Sequence, residues 1–191
     1  MKRTFITLCL LILAISTFAQ NSLREEDHLK FMGIPICGDI QSFSKKLIDR
    51  ANASPSGYSN GLYSFKGVFA GYNADIHVCY NNKSKEVYTA YSVVDNKAKE
   101  KAIDVYNEFK TFLLKKYPDS YTEESKANGF DSFTLWPKID HSIKKFNKDN
   151  VYGKIFLNIL YNEQLRVYGV FLIYEDRTAK SMREESKLAD F

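Results

Sequence analysis

The sequence predicts an α+β domain in which helices pack on one face of an antiparallel sheet, and three observations carry that prediction. Segments 39–52 and 97–117 repeat apolar residues at helical spacing. Segments 62–72, 74–81, 86–94, 151–161 and 165–174 are rich in β-branched and aromatic residues. Connections such as Gly71-Tyr72-Asn73 and Asn82-Lys83-Ser84 are short enough to impose antiparallel hairpins. The order helix then strands occurs twice, which suggests two modules in tandem, with halves at 28–94 and 97–175. The halves do not align residue for residue, so the repetition is one of architecture.

The chain opens with Lys2 and Arg3, an apolar run from Phe5 to Ile15, and small residues at Thr17 and Ala19. This pattern is that of an export signal spanning 1–19, cleaved after Ala19. The run is short for a bilayer span and polar Gln20-Asn21-Ser22 follows, so no membrane anchor is expected after processing. Cys9 sits inside the apolar run and not at its end, which argues against a lipid anchor. The expected location is outside the cytoplasm, periplasmic or extracellular. The remainder, 20–191, reads as a single α+β domain with a charged C-terminal helix over 176–191.

Residues 28–36 alternate well enough for one short strand ended by Pro35. Asp39 is a fitting N-cap for a helix whose stripe is Phe43, Leu47 and Ile48. The stretches Ala53 to Gly57 and Ser59-Asn60-Gly61 read as turns that end it. In the strand 74–81, Ala74, Ile76, Val78 and Tyr80 share one face and Asp75, His77 and Cys79 the other. The helix over 97–117 has the stripe Ala102, Val105, Tyr106, Phe109, Phe112 and Leu113, and Pro118 stops it. Residues 119–128 read as polar connection, 130–136 as a strand, and 138–150 as a loop with a short helical turn. The strand 165–174 has little polar alternation and reads as central and covered on much of both faces.

The Phe31 to Ile36 segment before a helix, the strand Phe65-Lys66-Gly67-Val68-Phe69-Ala70-Gly71 and the helix end Phe109 to Tyr117 resemble uncharacterised exported proteins of the Bacteroidetes group. These motifs are structural glycines and aromatics with no catalytic signature. The repeated helix-then-strands order is also similar to the tandem layout of the β-lactamase-inhibitor-like fold, and a layout implies no function.

Charge and motifs exclude several function classes. The whole chain carries 27 Lys and Arg against 23 Asp and Glu, and removing residues 1–19 leaves 25 against 23, about +2. That balance argues against a nucleic-acid partner. The glycines form neither a GxGxxG nor a Walker pattern, so no nucleotide cofactor is expected. His28, His77 and His141 lack ligand spacing, and no metal site is expected. Asp75, His77 and Cys79 hold the residue types of a thiol triad. Alternate strand positions lie roughly 6.6–6.8 Å apart with parallel side chains, so the three do not meet, and no catalytic residue is expected. Cys37 and Cys79 survive processing into an oxidising space. They read either as a disulfide closing a loop of 42 residues, worth roughly 4 kcal/mol, or as two separate buried thiols.

Aromatic residues make up 15% of the chain, many of them strand tyrosines. Tyrosine joins a flat apolar ring to a polar tip, which suits recognition. Tyr80, Tyr88, Tyr91 and Tyr168 are the expected binding residues. The leading expectation is an exported, non-enzymatic binding module for another macromolecule, a protein or a glycan. The alternative is a cell-envelope hydrolase that uses dispersed carboxylates.

Overall fold

The computed structural model describes residues 23–127 and 129–188, so the expected export signal lies outside the described residues. Asp39 begins helix α1 (Ile40–Ala51) as its position suggests: the carboxylate accepts from Gln41 N at 2.8 Å and Ser42 N at 3.4 Å. Such a cap is worth about 1 kcal/mol. The helix buries Ile40, Phe43, Leu47 and Ala51 and ends where Asn52 turns left-handed, at φ 46°. Helix α2 (Lys99–Lys116) buries Ala102, Val105, Tyr106, Phe109 and Leu113. Phe112, expected on the same stripe, is 53% exposed. At 100° per residue it falls roughly 80° from the stripe's centre, on the flank.

The main sheet contains β3 (Ser54–Ser59), β4 (Leu62–Phe69), β5 (Tyr72–Tyr80), β6 (Val87–Asn96), β7 (Tyr121–Ala127), β8 (Phe130–Trp136), β9 (Gly153–Asn162) and β10 (Val167–Asp176). Their spatial order is β3-β4-β5-β6-β10-β9-β8-β7, and every neighbouring pair is antiparallel. Each of α1 and α2 therefore precedes a four-stranded meander, and the two meanders meet through their last strands. Register places Val170 beside Val94 and Ile159, Leu172 beside Ser92 and Leu157, and Tyr174 beside Ala90 and Ile155. These residues are buried and make the centre of the helix-covered face. β10 is central as expected, but only this face of it is fully covered, for Phe171 and Ile173 on the other are half-buried.

Three stretches differ from the sequence expectation. The single strand over 28–36 is a small hairpin, β1 (Lys30–Phe31) and β2 (Ile34–Pro35), turning at Met32 and Gly33 with φ of 51° and 76°. The supposed turns after α1 contain β3, and the polar stretch after α2 contains β7. β3 and β7 are the two edges of the sheet. An edge strand has only one bonded neighbour and tolerates Pro, Gly and charge, so neither shows an apolar signature.

Aromatic contacts tie the small hairpin to both meanders. The Phe31 ring lies 5.3 Å from those of both Phe69 and Tyr174, and Phe69 meets Phe109 edge-on at 5.6 Å. Gly67 lets α1 settle on β4, since a Cβ there would stand 3.0 Å from the Ala53 Cβ and 3.1 Å from the Ala51 carbonyl oxygen. Close backbone approach is the reason for glycine at that position.

After β10 the chain enters helix α3 (Ala179–Leu188). Asp176, at the junction, has a fully buried carboxylate. It accepts from Leu29 N at 2.9 Å, Thr178 N at 3.0 Å and Thr178 Oγ1 at 2.9 Å, and pairs with His28 Nδ1 at 3.1 Å. One carboxylate thus fastens the start of the described chain to its last helix. The hydrogen bond to Asp176 raises the His28 pKa, outweighing burial, which acts the other way.

Candidate functional site

The face of the sheet opposite α1 and α2 carries Ser64 and Lys66 from β4, Asp75, His77 and Cys79 from β5, Thr89, Tyr91 and Val93 from β6, and Phe171, Ile173 and Glu175 from β10. Period-two alternation assigns these residues to one side. Among the described residues, two segments cover its margins. Helix α3 crosses one end, where Asn81 Nδ2 donates to the Met182 carbonyl at 3.1 Å, Arg183 pairs with Glu175, and the Arg183 guanidinium stands 5.9 Å from the Tyr88 ring centre. The 138–150 loop covers another end, with Phe146 packed edge-on against Tyr121 at 5.3 Å and Trp136 at 5.4 Å. Between them His77, Tyr91, Val93, Phe171 and Ile173 remain half-buried.

At the middle of this face His77 and Tyr91 stack across the strands, with centroids 4.6 Å apart and planes 23° from parallel. Ser64 Oγ lies 2.9 Å from His77 Nδ1, and Lys66 Nζ pairs with Asp75 at 3.0 Å. Burial lowers the His77 pKa against the opposing pull of Asp75, and burial raises that of Tyr91. Both rings are therefore neutral near neutral pH and present an apolar surface with polar rims. A hollow of about 450 Å³ opens beside them, walled by His77, Tyr91, Val93, Leu160 and Phe171, with Asp75 and Asp95 at its margin. The Phe171 ring lies across Gly169, where a Cβ would come within 2.8 Å of it. An aromatic side chain laid over a strand glycine shields the exposed backbone and fixes the ring.

The four tyrosines expected to bind do not share one surface. Tyr91 lies on the open face. Tyr88 is the extra residue where the β5–β6 register slips beside Cys79, and it is half-buried beneath Arg183. Tyr80 belongs to the helix-side face and is 2% exposed, because it continues the Ala74, Ile76, Val78 row into the core. Tyr168 is also on the helix side, packed on the core with its ring 4.7 Å from Tyr161 and 5.9 Å from Phe130.

In the structure Cys37 and Cys79 stand as two free thiols. Cys37 lies in the link before α1, where burial raises its pKa, whereas Cys79 points to the open face. Burial pushes the Cys79 thiol up to about 11, the reverse of what a thiolate nucleophile needs. Among the described residues no group of three or more His, Cys, Asp or Glu is placed to hold a metal, and no helix is long and apolar enough to cross a membrane.

Phe171 and Ile173 were missed because a continuous apolar run hides which face is covered. The signal for the His77–Tyr91 pair was present in the register of two adjacent hairpin strands. No family model, curated protein or solved structure matches the chain.

Proposed function

We propose that the protein is exported and acts as a non-enzymatic binding module that presents the open sheet face to a protein partner. One observation carries this reading: a large antiparallel sheet has one face covered by two helices and leaves His77, Tyr91, Val93, Phe171 and Ile173 half-exposed at the middle of the other. A contiguous apolar and aromatic patch rimmed by Lys66, Asp75, Asp95 and Glu175 has the anatomy of a protein interface, with an apolar centre and a charged edge. The stacked His77 and Tyr91 rings offer a rigid anchor, which costs little conformational entropy on binding. Export is supported by the composition of residues 1–19.

The test places photoreactive benzoylphenylalanine in place of Tyr91, and separately in place of Lys101, an exposed residue of α2 on the other side of the sheet. Each protein is expressed in the producing cell and irradiated. Crosslinking to a discrete partner from position 91 and not from 101 is expected. Equal crosslinking from both, or crosslinking from 101 alone, would overturn the assignment of the face.

A further inference from the structure

The hollow of about 450 Å³ beside the stacked His77 and Tyr91 rings combines two kinds of wall. One is apolar and aromatic, made by Tyr91, Val93, Leu160 and Phe171. The other is charged, and its charges have one sign: Asp75 and Asp95 line the hollow, and no lysine or arginine among the described residues does. Strand register sets Asp95 directly opposite Gly169. A Cβ on Gly169 would stand 3.2 Å from Asp95 Oδ1 and 2.8 Å from Phe171 Cε2, so the bare glycine lets the carboxylate and the ring edge approach a common point.

The basic side chains around the open face are already committed to other acids. Lys66 pairs with Asp75 at 3.0 Å, and Lys154 and Arg183 both pair with Glu175. Asp95 is exposed and forms no ion pair among the described residues. Burial of part of its surface, and then the like charge of Asp75, raise its pKa, as befits a carboxylate short of positive charge. The hollow therefore offers aromatic walls and one carboxylate whose charge the protein leaves unanswered.

We infer that this hollow receives an arginine side chain of the protein partner, an inference that rests on the open-face reading above. Charge complementarity selects the occupant. An apolar side chain would fill the hollow but desolvate Asp95 with no partner, which costs free energy. An acidic one would meet two carboxylates of its own sign. A guanidinium answers both walls at once, because aromatic rings attract it and its N–H fork pairs with a carboxylate. Arginine is preferred to lysine because its planar head is more weakly hydrated and gives up less on leaving water.

The experiment is a two-dimensional NMR titration of the full chain with blocked tripeptides that carry arginine, lysine, citrulline or glutamate between two glycines, each to about 20 mM. The arginine peptide is expected to shift the amide signals of His77, Tyr91, Asp95 and Gly169 with Kd of about 1–10 mM. Citrulline has nearly the shape of arginine without its charge and should bind about fivefold more weakly or worse, with lysine between the two and glutamate not binding. Asp95→Asn, at an exposed position, should weaken the arginine peptide about fivefold and leave the melting temperature unchanged. Absence of shifts at these four residues, citrulline binding as tightly as arginine, or unchanged binding by Asp95→Asn would overturn the inference. The two readings fail separately. A partner crosslinked from position 91 in a yield that Asp95→Asn leaves unaltered would reject the arginine and keep the protein-binding face, whereas arginine binding without crosslinking from position 91 would reject the protein partner.

Discussion

Replacing Asp176 with Ala removes the acceptor of four polar contacts, two from His28 and Leu29 at the start of the described chain and two from Thr178 just ahead of α3. The carboxylate is fully buried and His28 is 8% exposed, so water cannot easily replace what is lost. Breaking a buried pair from one side costs about 3–5 kcal/mol, which at 2–4 °C per kcal/mol for a chain of this size lowers the melting temperature by about 6–20 °C. Asp176→Asn keeps the shape and part of the accepting capacity and should fall between Ala and wild type. The same contact predicts a pH dependence with a definite sign. The folded pKa of His28 is raised above its ordinary value of 6.5. Its ion pair with Asp176 is therefore fully present below about 6.5 and is lost as pH rises through the folded value. Urea unfolding of wild type and His28→Gln from about pH 5.5 to 8.5 should show the advantage of the wild type shrinking as pH rises. An imidazole titration of His28 at or below 6.5, or a wild-type advantage that grows with pH, would refute the reasoning.

Two further outcomes test the packing and the thiols. Phe109→Ala should cost about 3–5 kcal/mol, because Phe109 is 2% exposed and touches Phe69 and Tyr72, whereas exposed Phe112→Ala should cost about 0.5 kcal/mol or less; urea melts compare them. Cys79 should react with iodoacetamide near neutral pH more slowly than a free model thiol, since burial pushes it up to about 11, and timed alkylation with mass detection reads the rate.

The readable parts of the sequence were those whose burial is one-sided. Asp39 as N-cap, the alternation from Ala74 to Tyr80 and the stripe from Ala102 to Leu113 all report a boundary between core and solvent, and each is found in place. Phe112 shows the limit of that signal, since spacing alone cannot separate the centre of a stripe from its flank. The edges β3 and β7 were illegible for the opposite reason: neither buries enough to leave a pattern. Even so, Asn60-Gly61 between Tyr58 and Tyr63 is a strong hairpin signal, and giving it that weight would have brought these two tyrosines together. Of the candidate residues, Tyr91 lies on the open face, while the partners that complete its surroundings come from β10, far away in the chain. The burial of Tyr80 follows from its alternation with Val78 along β5.

The joining of the two meanders through β6 and β10 has a kinetic side. Every other ladder of the large sheet links consecutive strands, so each meander can assemble from local hairpins. The β6–β10 ladder alone must wait for distant parts of the chain to meet, and loop-closure entropy makes such pairing slow. Until it closes, Val87-Tyr88-Thr89-Ala90-Tyr91-Ser92-Val93-Val94, uncharged and strongly β-forming, stands as a bare edge able to pair with another copy. The finished protein buries that segment at the centre of its sheet and leaves polar β3 and β7 as its lasting edges, so the hazard belongs to the assembling chain and vanishes once β10 has docked.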